Sequence, residues 1–385
     1  MTRSQLFNAL ILALSSLGLS AVQAAPWQVL PVLPSEDAQE SPDIHGTVVT
    51  WQQLVSEFGD YDIYVADVND MNDVLVTAIG DANDQMGPAV YGRRVVWQDL
   101  VAGEGSADWD IRMADVNDFA QPVVYAVSDL IGVDEQNPAI HGNTVVWQER
   151  GGDNFDIYGA DMTHPRAPAV FAVAAFEFDQ RHPSIYRNTV VWEDNFFGDW
   201  DLVAADIWLR DRPASFPVVL LEKDQQGGAL CGETIIWEDN FFGDWDIYAG
   251  RVSDQNEVRE FAITSNEADQ RAPDVSGHIV VWQDNRSGNW DIFGHNLVTR
   301  RTFQITDDPS DQVRPAISGN IVVWQDRRRG AWNVYMAVLD GPEVAGCALP
   351  PRGDLNHDCR VGFADFAILA SSWLDCALEP ARVCN

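Results

Sequence analysis

The chain has 385 residues, of which 46% are hydrophobic, so it is long enough to bury a sizeable core. Its 59 acidic residues outnumber 24 basic ones, and the formal net charge of −35 argues against binding to the phosphates of nucleic acid. Lys223 is the only lysine, and the simplest interpretation of this acidity is a surface that keeps the protein in solution.

The first 24 residues have the pattern of a secretory signal peptide. Arg3 supplies a positive start, residues 6–19 form an apolar run, and residues 22–24 end in the small residue of a cleavage site. The run is too short to span a bilayer, and we expect no membrane span after it. The sequence therefore predicts export to the periplasm, the cell surface or the extracellular medium.

One phrase occurs seven times and predicts the architecture. It consists of an aliphatic pair, a tryptophan, Gln or Glu, a short polar gap, and then Asp followed by an aliphatic residue. The tryptophans recur every 42 to 50 residues, at Trp51, Trp97, Trp147, Trp192, Trp237, Trp282 and Trp324. A period of this length, with several β-rich runs in each unit, is typical of β-propeller blades.

Each unit is expected to contain four short strands. In the third unit these are residues 139–141, 144–148, 155–160 and 170–174. The runs are rich in Val, Ile, Tyr and Trp and are bounded by Gly, Asn, Asp or Pro, as strands and their turns require. We therefore predict an all-β, seven-bladed propeller over residues 25–341.

The sequence also indicates how the ring closes. The seventh unit has a hairpin at residues 321–339 but no fourth strand before the composition changes at Gly341. An unassigned apolar segment, residues 27–33, precedes the first unit. We expect this segment to pair beside residues 332–338, because that would remove an open sheet edge.

Residues 342–385 are predicted to form a separate small module. Four of the five cysteines lie there, and in an exported protein they would form two disulfides by any of three pairings. These are Cys347, Cys359, Cys376 and Cys384. The fifth, Cys231, is expected to be a buried free thiol on an inner strand.

Oxygen ligands in this module are spaced as in a calcium-binding loop. Side chains at positions one, three, five and twelve and a backbone carbonyl at position seven would hold Ca²⁺, which prefers hard oxygen ligands. The residues are Asp354, Asn356, Asp358, Asp365 and, through its carbonyl, Arg360. Apolar residues at helical spacing follow, so the last ligand is expected to begin an α-helix.

Residues 353–374 resemble a dockerin type I repeat through the DLNxD motif, the closing aspartate and the FADFAILASxWL helix. The resemblance implies a calcium-dependent module that binds a cohesin-like or cell-surface protein in polysaccharide-degrading machinery. This chain has one such loop where the family usually has two. Cys359 stands where the family usually has glycine, and Phe363 and Ala364 stand where hydroxylated residues are frequent.

The propeller units are similar to TolB-like and WD40-like repeats, although they lack the SPDG phrase of many of those proteins. This resemblance implies the fold and little about activity. The aspartate that follows the aromatic residue in nearly every unit is interpreted as a structural acceptor for backbone N–H groups, not as a catalytic acid. These residues are Asp62, Asp110, Asp156, Asp201, Asp246 and Asp291, with Asn333 in the last unit.

Departures from the repeat indicate a ligand-binding face. The fourth and fifth units share the sequence WEDNFFGDWD, with phenylalanine pairs at polar hairpin tips, and nearby entry loops add cationic side chains. The candidates are Arg181, His182, Phe196, Phe197, Phe241, Phe242, Arg271 and Arg314. Aromatic faces stack on sugar rings and arginines pair with carboxylates, which favours an acidic polysaccharide or an acidic protein segment. Alternatively, the phenylalanines pack between hairpins and the arginines only neutralise acidic neighbours.

One inner-strand position varies from unit to unit and lines the predicted channel. It is occupied by His45, Tyr91, His141, Tyr186, Cys231, Ser276 and Ser318. The two histidines could bind a metal or relay a proton, or they could simply fill the channel.

These observations favour a secreted binding or scaffold protein in extracellular polysaccharide use. The alternative is an enzyme, a propeller polysaccharide lyase or glycoside hydrolase, with the channel histidines and tyrosines as acid–base groups. A third possibility is a structural protein that is anchored at the cell surface by its C-terminal module.

Overall fold

The computed structural model describes residues 27–102, 107–252, 258–341 and 343–344. These residues form 28 β-strands and no helix. The strands make seven four-stranded antiparallel sheets, so the predicted all-β, seven-bladed propeller is confirmed. The proposed signal peptide and nearly all of the proposed C-terminal module lie outside the described residues.

The blades follow one another along the chain, each running from an inner to an outer strand. Blade 1 comprises β2 (Gln39–His45), β3 (Val48–Val55), β4 (Asp60–Asp67) and β5 (Leu75–Ile79); blade 2 comprises β6 (Gln85–Tyr91), β7 (Arg94–Ala102), β8 (Ala107–Asp115) and β9 (Val123–Ser128). Blade 3 comprises β10 (Asp134–His141), β11 (Thr144–Arg150), β12 (Asp156–Asp161) and β13 (Ala169–Ala174); blade 4 comprises β14 (Gln180–Tyr186), β15 (Thr189–Asp194), β16 (Asp201–Asp206) and β17 (Ala214–Val219). Blade 5 comprises β18 (Gln225–Cys231), β19 (Thr234–Asp239), β20 (Asp246–Val252) and β21 (Val258–Ala262); blade 6 comprises β22 (Gln270–Ser276), β23 (Ile279–Asp284), β24 (Asp291–Asn296) and β25 (Arg301–Gln304). Blade 7 combines β26 (Gln312–Ser318), β27 (Ile321–Arg329) and β28 (Ala331–Val338) with β1 (Val29–Pro31) from the N-terminal end.

The predicted ring closure is confirmed. Strand β1 pairs antiparallel with β28, with Val29 opposite Ala337. The buried indole of Trp27 donates a hydrogen bond from Nε1 to the carbonyl of Asp340 at 3.1 Å. The N-terminal segment therefore covers the outer edge of β28, which would otherwise be free to pair with another chain.

The core lies between neighbouring blades. All seven repeated tryptophans are buried, and each packs in a cluster that contains residues from two blades. For example, Trp97 of blade 2 packs against Ile63 and Val65 of blade 1. Burial of such a side chain stabilises the fold by about 2–3 kcal/mol, so each sheet depends on its neighbours.

A ring of hydrogen bonds also joins the blades. The Gln or Glu after each repeated tryptophan accepts a hydrogen bond from a backbone N–H in the next blade. The residue that donates this N–H has a positive φ in every case. The acceptor and donor pairs are Gln52 and Gly87, Gln98 and Asn137, Gln148 and His182, Glu193 and Gly227, Glu238 and Ala272, Gln283 and Arg314, and Gln325 and Ser41. These side chains are therefore structural, and they fix where the inner strands begin.

Two faces of the ring are distinguished below. The hairpin face carries the turns between the second and third strands of each blade, such as residues 195–200, together with the connections that lead into the inner strands. Asp179 donates its backbone N–H to Asn195 Oδ1 at 3.0 Å, which shows that these two kinds of segment meet. The opposite face carries the turns between the first and second strands, such as residues 187–188.

Candidate functional site: the hairpin face

The paired phenylalanines lie exposed on the hairpin face. Phe196 and Phe197 are 57% and 66% exposed, and Phe241 and Phe242 are 41% and 73% exposed. Within each pair the rings contact edge to face, with centroids 4.9 and 5.1 Å apart. The pairs are therefore not buried between hairpins, and four aromatic rings remain available to a ligand.

An apolar groove of about 520 Å³ lies beside the first pair. Phe196 and Phe197 form one wall, while Phe216 and Leu220, at and just beyond the outer strand β17, form the other. Phe178 contacts Phe196 edge to face at 5.3 Å. This part of the site therefore lies toward the rim of blade 4.

Arg181 lies closer to the channel and is held by two neighbours. Its Nε donates to Glu193 Oε2 at 2.7 Å, and its guanidinium lies 3.4 Å from the ring centre of Trp200. Glu193 also accepts from Gly227 N at 3.0 Å and contacts His182 Nδ1 at 3.1 Å. Burial alone would raise the pKa of Glu193, but His182, Gly227 and Arg181 together hold the pKa below its usual value.

Arg271 makes a similar arrangement across a blade boundary. Its Nε donates to Glu238 Oε2 in the preceding blade at 2.8 Å, and its guanidinium lies 4.2 Å from the ring centre of Trp245. Burial raises the pKa of Glu238, against the opposing effect of Arg271. The two arginines thus neutralise glutamates that replace the glutamine of the other five blades.

Both stacked arginines keep part of the guanidinium free. Their side chains are 29% and 36% exposed, and among the residues that the structure describes neither Nη of Arg181 or Arg271 has a hydrogen-bond partner. An arginine fixed on an indole presents its remaining N–H groups in a set direction. We refer to Arg181 on Trp200 and Arg271 on Trp245 as the Arg–Trp stacks.

Arg314 occupies a third place on the same face. It is exposed and donates from Nη1 to Ser41 Oγ at 3.2 Å, beside a polar pit of about 500 Å³ that is also lined by Trp332 and Glu40. The structure therefore brings Arg181 and His182 together on Glu193, whereas the phenylalanine pairs and Arg314 lie apart from them. All eight predicted residues belong to the hairpin face, although Arg181, His182, Arg271 and Arg314 lie within inner strands, not in loops.

The channel aromatics form a continuous arc. Ring centroids are 4.2 Å apart for His45 and Tyr91, 4.5 Å for Tyr91 and His141, and 4.7 Å for His141 and Tyr186. Burial lowers the pKa of His45 and lowers that of His141 to about 4, so both rings are neutral at neutral pH. His45 Nδ1 accepts from Gly92 N at 3.0 Å, which occupies one of its nitrogens.

Some of the repeated aspartates make local structural contacts, whereas Oδ1 of Asp62, Asp201 and Asp291 is buried without a hydrogen-bond partner in the described residues. Asp246 accepts from Thr264 Oγ1 at 3.0 Å, and Asn333, at the corresponding position of blade 7, accepts from Ser35 N at 3.0 Å. Burial raises the pKa of Asp201 to about 6, because its carboxylate is enclosed at the start of β16. Within the described ranges, no three or more His, Cys, Asp or Glu side chains are grouped so as to hold a metal ion.

Two features of the site were not predicted. Trp200 and Trp245 were visible in the duplicated hairpin sequence but were assigned to the repeat, so their contact with arginine was missed. Asp43 and Asp274 line the channel, where other blades carry Ala or Ser. Each accepts two backbone N–H groups, one of them from the next blade at 2.7 Å. Comparison of this inner-strand position across the seven units would have identified the two aspartates.

The predicted calcium ligands Asp354, Asn356, Asp358, Arg360 and Asp365 lie outside the described residues, as do four of the five cysteines. The fifth, Cys231, is a half-buried free thiol whose Sγ accepts from Gly277 N at 3.3 Å. No helix in the described part of the chain has the length and apolar character that a membrane crossing requires.

Solved structures with the same architecture support the fold. The chain is similar to an oligogalacturonate lyase from Vibrio parahaemolyticus, with 10% identity and a TM-score of 0.60 over 83% of this chain and 96% of that one. A second oligogalacturonate lyase, in complex with manganese, has 11% identity and a TM-score of 0.60 over 82% of this chain and 94% of that one. A puromycin-hydrolyzing peptidase from Mycobacterium tuberculosis has 13% identity and a TM-score of 0.58 over 80% of this chain. The chain spans about half, 53%, of that peptidase.

These similarities concern the fold alone, because identities this low carry no assignment of activity. No family model and no curated protein sequence matches the chain. The propeller architecture is therefore shared with known proteins, whereas the more specific resemblance to TolB-like repeats stays a prediction.

Proposed function

We propose that the protein is a binding or scaffold protein that holds an acidic polysaccharide on the hairpin face. The observation that carries this proposal is the pair of Arg–Trp stacks, whose guanidinium Nη groups have no partner within the described residues. Arginine forks pair bidentately with carboxylates, and the exposed phenylalanine rings offer faces for sugar rings.

The charge of the protein makes such a site selective. A net charge of −35 repels polyanions over most of the surface, so an acidic polymer would be held only where arginines are directed outward. Two of the structural neighbours are named for action on oligogalacturonate, which is an acidic sugar chain, and this agrees with the proposed ligand class.

Binding to polygalacturonate and to a neutral polysaccharide would test the proposal. We expect the wild-type protein to bind the acidic polymer, and the double variant Phe197→Ala, Phe242→Ala to lose about tenfold or more in affinity, since aromatic stacking contributes about 1 kcal/mol per ring. Trp208→Ala is a matched control, because Trp208 is 74% exposed but belongs to the opposite face. Unchanged affinity in the double variant would reject the proposal, and binding only to an acidic peptide would redirect it to a protein ligand.

We also propose that the protein is exported and that residues 353–374 bind Ca²⁺ and dock to a cohesin-like or cell-surface protein. The ligand spacing and the dockerin-like helix in the sequence support this second module. Such a module would fix the propeller near a polysaccharide, while the propeller would contact the polymer.

A second candidate is an enzyme, a polysaccharide lyase or glycoside hydrolase. The arc from His45 to Tyr186 favours it, because the arc places neutral imidazoles beside phenols in the channel. Asp43 and Asp274 line the same channel and lie outside the repeated aspartate positions, but each accepts two backbone N–H groups, which gives these carboxylates a structural role. Unsaturated or reducing ends released from polygalacturonate, and lost in His141→Ala, would support the enzyme.

A further inference from the structure

A strained arginine marks a cavity on the opposite face. The turn between the first and second strands of each blade contains one residue with positive φ, and in six blades that residue is glycine, with φ between 58° and 65°. In blade 4 it is Arg187, with φ 57°. A side chain at this φ costs free energy because Cβ crowds the backbone carbonyl, and such strain is frequent at functional sites.

Arg187 lies in the wall of a cavity of about 610 Å³ at the mouth of the channel. Tyr186, Cys231 and Arg251 are also in the wall, and Glu233 is its only carboxylate among the described lining residues. The guanidinium of Arg187 lies 5.5 Å from the ring centre of Tyr186. A cation and an aromatic ring therefore face the same space.

The charge of Arg187 is not used by the fold. Buried or half-buried carboxylates pair with Arg93, Arg112, Arg181, Arg271, Arg286 and Arg328. By contrast, no carboxylate within the described ranges makes an ion pair with Arg187, and no hydrogen bond holds its guanidinium there. In a chain with 59 acidic residues, an exposed arginine without a carboxylate partner is available to an external anion.

The channel mouth has room beside this arginine. Tyr91, His141 and Tyr186 fill one side of the mouth with aromatic rings, whereas the other side carries the small residues Cys231, Ser276 and Ser318. We propose that this cavity binds a single carboxylated sugar ring, with Arg187 pairing the carboxylate while its guanidinium lies over the ring of Tyr186. The site is separate from the hairpin face and does not depend on the function proposed for it.

Galacturonate and galactose are suitable probes, because they differ only in the carboxylate that Arg187 would pair. Titration calorimetry of the full chain should show saturable binding of galacturonate and at least about tenfold weaker binding of galactose, as expected when one charge-assisted contact is lost. Arg187→Gly should weaken galacturonate binding about tenfold. Because glycine occupies this turn in the other six blades, that variant should fold and have equal or higher thermal stability.

Arg300→Gly is the matched control. Arg300 is also an exposed arginine with positive φ, 57°, but it does not line the cavity, so galacturonate binding should persist in this variant. The double variant Phe197→Ala, Phe242→Ala should also retain it, which separates this site from the hairpin face. Equal affinity for the two sugars, no saturable binding of galacturonate, or undiminished binding in Arg187→Gly would each overturn the proposal.

Discussion

The side-chain carbonyl of Gln325 accepts a hydrogen bond from the backbone N–H of Ser41 at 3.1 Å and so joins blade 7 to blade 1. Ser318 Oγ makes a second such contact by accepting from Gly46 N at 2.8 Å. With the pairing of β1 and β28, these contacts close the ring. The hydrogen bond from Ser41 to Gln325 is one of seven equivalent bonds between blades, so its loss should destabilise the whole propeller.

We expect Gln325→Leu to lower the free energy of unfolding by about 1–2 kcal/mol, because the N–H of Ser41 loses its acceptor while it remains half-buried. Chemical denaturation monitored by tryptophan fluorescence would measure the change. Gln121→Leu is the control, since Gln121 is exposed and its side chain has no hydrogen bond within the described residues. Equal stability of the two variants would mean that the ring of acceptors does not support closure.

The fold was predictable from the sequence because every blade repeats the same physical requirements. In blade 3 the predicted strand at residues 144–148 lies within β11 (Thr144–Arg150), and the unbroken run of buried residues from Thr144 to Glu149 explains the agreement. The position of the N-terminal strand was predictable because only one blade lacked an outer strand. Contacts between blades were not predictable: Arg181 pairs with a glutamate of its own blade, whereas Arg271 pairs with one of the preceding blade. A repeat pattern defines each sheet but not which neighbour a long side chain reaches.

Asp43 and Asp274 should make stability depend on pH. Desolvation raises the pKa of Asp43 to about 7 and that of Asp274 to about 6, and the charge of Asp274 further raises the pKa of Asp43. In the unfolded chain an aspartate has a pKa of about 3.9, so the folded protein binds more protons between pH 4 and pH 7. The stabilisation from these two groups is therefore fully present below about pH 4 and is lost as the pH rises through about 6 to 7.

Between pH 4 and pH 7 the free energy of unfolding of the wild type should fall. In the double variant Asp43→Ala, Asp274→Ala we expect this fall to be smaller by at least about 1 kcal/mol. Alanine is tolerated at this position, since Ala89, Ala139, Ala229 and Ala316 occupy it in other blades. Urea unfolding at several pH values would give the slope of the free energy of unfolding against pH. Ser184→Ala changes the same position in blade 4 without removing an ionisable group and should keep the wild-type slope; parallel slopes for all three proteins would contradict the assignment.

Calcium should bind the C-terminal module and not the propeller. Isothermal titration of the full chain is expected to show about one Ca²⁺ per chain, reversed by a chelator, because the predicted loop supplies one set of oxygen ligands. Asp354→Ala with Asp365→Ala should weaken binding at least about tenfold, since both end ligands are lost. Asp375→Ala, outside the ligand set, should bind calcium as the wild type does. Retention of full affinity in the double variant would place the ion elsewhere.

The role of Arg271 can be separated into a structural and a binding part. Arg271→Met should destabilise the protein by about 2 kcal/mol, because the buried carboxylate of Glu238 loses its charged partner and keeps only the N–H of Ala272. Adding Glu238→Gln should restore most of that stability, since glutamine makes the equivalent bond in five other blades. If the arginine serves only to neutralise Glu238, the rescued double variant will bind polygalacturonate like the wild type. If the Arg–Trp stack also holds a carboxylate, the rescued variant will be stable yet bind about tenfold more weakly, and this is the outcome that we expect.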